Sequence, residues 1–252
     1  MKSIINLIKV SLLFGALFTI SSCNNEPEVS NISRITYFPT FAYEGGNFAL
    51  IPCASDFEIP PISATENGQE LPLTVVTKGI SGTVPSVDIN KADIYVETTS
   101  AVNQDGYAGV VERTFWVACT GDLVNSIEGL YTSTVIRNGA VNPQYFDLEY
   151  VLIRKKPGGA ANEYEISCAI GGYYEFGRSY GSDYRASGAI VTANNIAANN
   201  FSFSGPVPVG AFGGTCVIES MTVDAATKTI HFNSNWTSNN FKFDVTLTQV
   251  AL

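Results

Sequence analysis

The chain has 252 residues, of which 45% are apolar, 12% aromatic and only 15% charged. Acidic residues outnumber basic ones by 23 to 14, for a formal net charge of −9. An acidic surface repels phosphate backbones, so the composition argues against nucleic acid as a partner. The single histidine excludes metal sites built from several histidines. The length suits one large or two ordinary domains.

The first 22 residues have the pattern of an export signal. Lys2 and Lys9 form a positively charged n-region. Residues 10–20 are apolar, but the run is shorter than a typical transmembrane helix needs. The order Ile-Ser-Ser-Cys at residues 20–23 resembles a bacterial lipobox, which implies that Cys23 is lipidated and becomes the first mature residue. The alternative is an ordinary secretory signal cleaved nearby. With no second apolar stretch of that kind, we expect the lipid to be the only membrane anchor.

A polar stretch at residues 23–33 follows the signal and predicts a flexible tether. Its acidic residues, Glu26 and Glu28, resemble the surface-export signal of Bacteroidetes lipoproteins. That resemblance implies an outer-membrane location with the protein facing the cell exterior, and it favours this over the periplasmic face.

The rest of the chain alternates between apolar and polar residues, which predicts an all-β, antiparallel protein. The predicted strands include residues 94–98, 110–117, 145–153, 164–170, 228–232 and 241–247. Hairpin turns are predicted between strands at residues 67–68, 105–106, 138–139, 157–159, 224–227 and 237–240. No segment has convincing helical periodicity over three turns.

A polar segment at residues 121–126 predicts a boundary between two domains. Residues 34–121 hold strands at the spacing of a small sandwich. Residues 126–252 predict a meander of hairpins, and closing it into a barrel or half-barrel would protect its edge strands.

Two motifs carry a resemblance to known families. Residues 34–120 resemble immunoglobulin-like modules of secreted bacterial proteins, through Tyr-Val-Glu at 95–97, Asn-Gln-Asp-Gly at 103–106 and Arg-Thr-Phe-Trp-Val at 113–117. Residues 127–252 resemble the C-terminal domain of a two-domain Bacteroidetes surface lipoprotein family of unassigned function, through the Gly- and Tyr-rich stretch 171–184 and Gly188. This resemblance implies an immunoglobulin-like sandwich followed by a barrel-like domain, and it brings no catalytic residues.

Four cysteines remain beside Cys23. Cys53 and Cys119 fall in the first predicted domain, and Cys168 and Cys216 fall in the second. An even division in an exported protein suggests one disulfide in each domain, because the compartment is oxidising. The alternative is four buried thiols that act as small apolar groups.

The sequence does not point to an active site, and we expect no catalytic residues, cofactor or metal. His231 is the only imidazole, and on its alternating strand it points away from Ile230 and Phe232, towards solvent. Glycoside hydrolysis needs only two carboxylates, and Glu175 with Asp183 is the pair to test. Most such carboxylates are solvated surface charges, so an enzyme is the least favoured hypothesis.

One dense group of aromatic and arginine side chains is the candidate ligand-binding surface. Flat aromatic rings cover the C–H faces of sugars, and Arg and Asp side chains bind hydroxyls. The candidate residues are Tyr173, Tyr174, Phe176, Arg178, Tyr180, Asp183, Tyr184, Arg185 and Trp236. The alternative is that these rings belong to the core.

These observations favour a non-catalytic, surface-anchored lipoprotein that binds a glycan or a related polymer. The second hypothesis is a protein-interaction or adhesion module within a surface protein complex, because Tyr and Arg are also frequent anchors of protein interfaces.

Overall fold

The computed structural model describes residues 35–252, so the predicted export signal, Cys23 and most of the tether lie outside the described residues. Half of the structure is strand and only 8% is helical, which confirms the all-β prediction. Within the described part, the strands form a three-stranded, a five-stranded and a nine-stranded sheet.

The first half of the described chain forms the two smaller sheets. The three-stranded sheet has the order β1-β3-β4 and consists of β1 (Thr40–Tyr43), β3 (Ile62–Glu66) and β4 (Gln69–Glu70). The five-stranded sheet has the order β2-β8-β7-β5-β6 and consists of β2 (Phe48–Pro52), β5 (Thr74–Gly79), β6 (Gly82–Val84), β7 (Asp93–Val102) and β8 (Ala108–Ala118). Pro39 and Phe41 lie close to Gly109 on β8, where an added Cβ would come within 3.0 and 3.1 Å of them. The missing side chain at residue 109 therefore lets the two sheets approach each other.

One strand pair differs from the antiparallel prediction. Strand β2 pairs with β8 in parallel, with Pro52 opposite Ala118. A cysteine directly follows each strand, and Cys53 and Cys119 form a disulfide over a sequence separation of 66. The parallel register explains the bridge, because it brings the ends of two distant strands side by side.

The second half of the described chain forms the nine-stranded sheet, which is antiparallel throughout and shaped as a half-barrel. Its order is β13-β12-β11-β10-β9-β17-β16-β15-β14. Its strands are β9 (Gly129–Arg137), β10 (Leu148–Lys155), β11 (Glu163–Ile166), β12 (Ala189–Asn195), β13 (Asn200–Phe203), β14 (Val207–Pro208), β15 (Thr215–Asp224), β16 (Thr229–Trp236) and β17 (Phe241–Gln249). The first and last strands, β9 and β17, pair with each other, so the predicted meander also joins its two ends.

Most predicted turns occur where the sequence places them. Asn67-Gly68 and Asn138-Gly139 both have positive φ at each residue, 47° with 82° and 52° with 74°. These are the values that a tight two-residue hairpin turn needs, and Asn and Gly adopt them most easily. The strand predicted from residue 145 is wrong at its start, because Pro143–Tyr145 forms a short helical turn and the strand begins at Leu148.

The core of the half-barrel consists of side chains from alternate positions of its strands. Along β16, buried residues alternate with half-buried ones, and His231 lies on the more exposed side as predicted. The helical segments are short turns at Pro143–Tyr145, Tyr173–Gly177, Ser182–Tyr184, Gly210–Phe212 and Thr237–Asn239. Among residues 35–252, no helix has the length and apolar character needed to cross a membrane.

The smaller sheets and the half-barrel share a buried contact. Ile94 and Trp116 of the five-stranded sheet pack with Leu130 and Leu152 of the half-barrel in one apolar cluster. Beside this cluster the two bodies leave a cleft of about 400 Å³. The division into domains at residues 121–126 stays a prediction.

Candidate functional site

Eight of the nine candidate residues lie on the long connection between β11 and β12, which crosses one end of the half-barrel, and Trp236 is the last residue of β16. Gly171 and Gly172 enter it with φ of 61° and 72°. A Cβ on Gly171 would lie 2.7 Å from Ser133 Oγ and from a methyl carbon of Val245. Only glycine therefore lets the connection pass this close over β9 and β17. The π-helical turn Tyr173–Gly177 follows and sends its side chains in different directions.

Three of the nine candidate residues belong to the core. Tyr173, Tyr174 and Trp236 are almost fully buried. The ring of Tyr173 packs 4.2 Å from that of Tyr145, and the ring of Tyr174 packs edge-on 5.9 Å from that of Trp236. The structure thus corrects the sequence prediction for these three residues. Their rings close the end of the half-barrel, where a ligand has no access.

Three other rings form an exposed surface above this buried layer, which we call the aromatic platform: Tyr180, Tyr184 and Phe212. Tyr180 is 50% and Phe212 44% exposed, and Tyr184 is half-buried. The ring of Phe212 lies 4.8 Å from that of Tyr184 and 5.7 Å from the buried ring of Trp236. The platform is therefore rigidly supported from below.

Phe212 was not among the residues predicted from the sequence. It comes from the turn Gly210–Phe212, more than 25 residues after Tyr184. Gly210 lies so close to the backbone of Asp183 that a Cβ would overlap it, and this contact holds the two loops together. An aromatic residue inside the run Gly-Ala-Phe-Gly-Gly is the signal that could have indicated it.

The polar candidates Arg178 and Asp183 are exposed beside the platform. The guanidinium of Arg178 lies 5.7 Å from the ring centre of Tyr145 and 6.0 Å from that of Tyr173. Asp183 is in the same short turn as Tyr184. Both charged groups are therefore open to solvent, Arg178 beside the rings of Tyr145 and Tyr173 and Asp183 next to Tyr184 in the chain.

The remaining candidates, Phe176 and Arg185, face the five-stranded sheet instead and line the cleft described above, which we call the intersheet cleft. Arg185 Nε donates to Glu175 Oε2 at 2.6 Å, and its Nη2 donates to Glu175 Oε1. The guanidinium lies 5.4 Å from the ring centre of Trp116. The other cleft residues are Asn47, Phe48, Thr114, Glu149 and Tyr150.

The pKa of the Glu175 carboxyl is raised inside this cleft, because burial outweighs the effect of its partner. Burial raises the pKa of its carboxyl, and the hydrogen bonds and charge of Arg185 act in the opposite direction. Asp183, the other member of the proposed hydrolase pair, is exposed on a different turn. The two carboxylates therefore occupy unlike environments, one fixed by Arg185 and one in solvent.

Trp116 and Tyr150 are not among the residues predicted from the sequence to form a site. They belong to β8 and β10, which are distant in the chain from the β11–β12 connection. One signal is present in the sequence of β8, where Phe115 to Ala118 are all apolar. In the structure all four are buried, so both faces of the strand are covered there. An unbroken apolar run is typical of a strand with a second layer on each side.

The cysteines differ between the two halves of the chain. Cys53 and Cys119 are bonded, whereas Cys168 and Cys216 are free and buried, so the bridge expected for the second half is absent. Burial raises the pKa of both thiols, that of Cys216 to about 11. They fill core space as apolar groups do.

Residues 35–252 contain no group of three or more His, Cys, Asp and Glu side chains placed to hold a metal. His231 Nε2 lies 2.5 Å from Asp244 Oδ1 on the neighbouring strand, and both side chains are about half exposed. This is a cross-strand surface pair.

Residues 120–249 match the model of a protein family defined by a C-terminal domain. The match covers just over half of the chain. The chain belongs to this family. The family has no assigned function.

A solved structure supports the assignment to the family. The crystal structure of the lipoprotein BT2262 from Bacteroides thetaiotaomicron superposes with a TM-score of 0.59 and 25% sequence identity. The alignment covers 84% of this chain and 100% of that one. No curated protein matches the chain. The family relationship therefore establishes the architecture but no function. Any functional argument has to rest on the local geometry of the site.

Proposed function

We propose that this protein is a non-catalytic lipoprotein of the cell surface that binds a glycan or related polymer through the aromatic platform. The observation that carries the proposal is that two exposed rings, Tyr180 and Phe212, and the half-buried ring of Tyr184 lie together on a buried aromatic layer. Large apolar side chains left exposed together and held rigidly are typical of binding surfaces.

The chemistry of the platform fits a sugar polymer. Pyranose rings have apolar C–H faces that lie flat on Tyr and Phe rings, and their hydroxyls bind charged side chains at the rim. Arg178 and Asp183 supply a donor and an acceptor beside the platform. One charge of each sign favours a neutral or weakly charged glycan.

The sequence and the relative both support a lipid anchor. Cys23 in the lipobox-like motif would carry the lipid, and BT2262 is itself a lipoprotein. The acidic residues after Cys23 support the outer membrane, with the protein facing the cell exterior. A tether of residues 23–33 would separate the platform from the membrane surface.

Two observations weigh against hydrolysis as the function. Glu175 is buried and both of its carboxylate oxygens are bound by Nε and Nη2 of Arg185, so it is not available to protonate a leaving group. Asp183 stands on the exposed turn beside Tyr184. An adhesion role remains the second candidate, and the exposed ring of Phe212 favours it because aromatic anchors also dominate protein interfaces.

Affinity electrophoresis in gels that contain soluble polysaccharides tests this proposal. We expect at least one polysaccharide to retard the wild-type protein, and Tyr180→Ala and Phe212→Ala to weaken binding about tenfold each, as expected for losing one anchoring ring. Phe38→Ala is the matched control, because Phe38 is also an exposed ring and lies away from the platform, on the segment before β1. Unchanged mobility of the wild type across a broad panel would reject the proposal, and equal effects of all three variants would reject the platform as its location.

A further inference from the structure

Besides the platform, the structure contains a concave site that the family assignment leaves unexplained. The intersheet cleft is lined by three aromatic rings from three separate elements: Trp116 on β8, Tyr150 on β10 and Phe176 on the π-helical turn. The ring of Trp116 lies 6.2 Å from that of Tyr150 and 6.3 Å from that of Phe176, tilted by 62° and 57°. Trp116 is buried and forms the floor of the cleft, and the partly buried rings of Tyr150 and Phe176 pack against it at an angle.

Local backbone irregularity directs Tyr150 into this position. The ladder between β9 and β10 shifts register between Glu149 and Val151, so Tyr150 has no partner opposite it. Such a bulge reorients a side chain and is frequent next to binding sites. Tyr150 thus leaves the regular alternation of β10 and turns to Trp116.

A charged pair forms the polar side of the cleft. The Glu175 side chain is 5% and the Arg185 side chain 16% exposed. Arg185 uses Nε and one N–H of Nη2 on Glu175, and among residues 35–252 its other N–H groups have no protein acceptor. A guanidinium fixed by a carboxylate and by the face of Trp116 offers its remaining donors in one defined direction.

We propose that the intersheet cleft is a second binding site, separate from the platform, that holds a single neutral sugar ring or the end of a glycan chain. This proposal rests on the proposed function for its ligand class. The cleft differs from the platform in its location and in the size of the ligand that it would hold. The cleft volume of about 400 Å³ is at the small end of ligand pockets, which span roughly 300–1,000 Å³.

The charges of the cleft distinguish between ligand classes. Arg185 is already neutralised by Glu175, and Glu149 adds a negative charge at the edge, so an anionic ligand would meet net repulsion. A purely apolar ligand would strip water from Arg185 and leave its free donors without acceptors, which is costly. A neutral polyhydroxylated ring satisfies both requirements, with its C–H faces against the rings and its hydroxyls on the guanidinium.

The two tryptophans of the chain allow the two sites to be measured separately. Trp116 lies in the cleft and Trp236 lies under the platform, 5.7 Å from Phe212. In Trp236→Phe the fluorescence reports the cleft alone, and in Trp116→Phe it reports the platform alone. Both proteins are titrated with glucose, galactose, mannose and N-acetylglucosamine and with oligosaccharides of these sugars, with glucuronic acid as the anionic probe.

We expect at least one neutral sugar to change the emission of Trp116 saturably, and glucuronic acid to have no effect. In the Trp236→Phe background, Phe176→Ala and Arg185→Lys should each weaken this binding about tenfold, whereas Phe212→Ala should leave it unchanged. If Arg185 only joins the two bodies, Arg185→Lys will lower the melting temperature without changing the sugar affinity of the folded protein, and that result overturns the proposal. Saturation-transfer NMR on the wild-type protein repeats the measurement if a tryptophan variant fails to fold.

The outcomes also separate this inference from the proposed function. A response of Trp236 to oligosaccharides without any response of Trp116 rejects the cleft and supports the platform. A response of Trp116 alone supports the cleft and rejects the platform. No response of either tryptophan, together with no NMR transfer, rejects both.

Discussion

Arg154 of the half-barrel forms a buried ion pair with Asp93 of the five-stranded sheet, with 2.7 Å between Nη1 and Oδ1. Their side chains are 1% and 5% exposed. These two atoms are close but are not aligned for a hydrogen bond. Arg154 donates hydrogen bonds from Nη2 to Ser81 Oγ at 2.8 Å and from Nε to Glu165 at 3.1 Å. One guanidinium thus joins the two bodies on either side of the intersheet cleft.

Removing Arg154 should destabilise the protein strongly. In Arg154→Met, Asp93 and Glu165 stay buried without their cation, and we expect a loss of about 3–5 kcal/mol in the free energy of unfolding. Urea denaturation measures this loss. Lys156→Met is the control, because Lys156 forms an exposed pair with Glu163 and should change stability by less than about 1 kcal/mol. Similar small losses for both variants would show that Arg154 does not hold the two bodies together.

The disulfide between Cys53 and Cys119 should stabilise the chain by closing a long loop. Because the cysteines have a sequence separation of 66, replacing both by alanine should cost about 2–5 kcal/mol in the chain-entropy description. Urea unfolding of the wild type with a phosphine reductant should give the same loss. The double variant should not respond to the reductant, and a wild type that is equally stable in both conditions would contradict the prediction.

The two remaining thiols should not react in the native protein. Cys168 and Cys216 are buried, and burial raises the pKa of both, so little thiolate is present near neutral pH. In Cys23→Ser, Ellman's reagent should detect no thiol in the native protein and both thiols in guanidinium chloride without reductant. Finding none after denaturation would mean that these cysteines are bonded and that the core differs from the one described.

Asp122 should make stability depend on pH in the acidic range. Its carboxylate accepts hydrogen bonds from the backbone N–H of Val124, Asn125 and Ser126 and from the Asn125 side chain, and these hold its pKa well below the usual 3.8. The unfolded chain therefore binds this proton first, so stability present above pH 3.8 decreases as the pH falls below it.

Asp122→Asn tests this dependence. The variant should be less stable than the wild type at pH 7, and the difference should shrink below pH 3.8 as the wild-type carboxylate becomes protonated. Urea unfolding at several pH values measures both. Asp56→Asn, which removes an exposed charge elsewhere, is the control. A difference that stays constant from pH 7 to acid would show that the charge of Asp122 is not the cause.

Local sequence predicted the strands and turns well, and the reason is physical. Pairs such as Asn138-Gly139 favour the positive φ of tight turns, and alternation along β16 follows from having one face in the core. These signals reside within a few residues of one another. The parallel pairing of β2 with β8 depends on residues far apart in the chain, and the sequence carried no local mark of it.

The candidate site was predicted in composition but not in arrangement. Tyr173, Tyr174 and Tyr180 look alike in a glycine-rich sequence, yet two of them are buried and one is exposed. An irregular connection has no period of 2 or 3.6, so the pattern cannot tell which side each ring faces. Phe212 and Trp116 come close to the β11–β12 connection only in the folded protein, because each belongs to a segment that is distant in the sequence.

The proposed function is that this protein binds a glycan without altering it. The most direct measurement is calorimetric titration of the wild-type protein with the polysaccharides of the panel, followed by chromatography of each polysaccharide after overnight incubation. We expect saturable binding of at least one polysaccharide that Phe212→Ala weakens, with the polymer length unchanged. Absence of binding across the panel, or shortened polymer after incubation with the wild type, would contradict the claim.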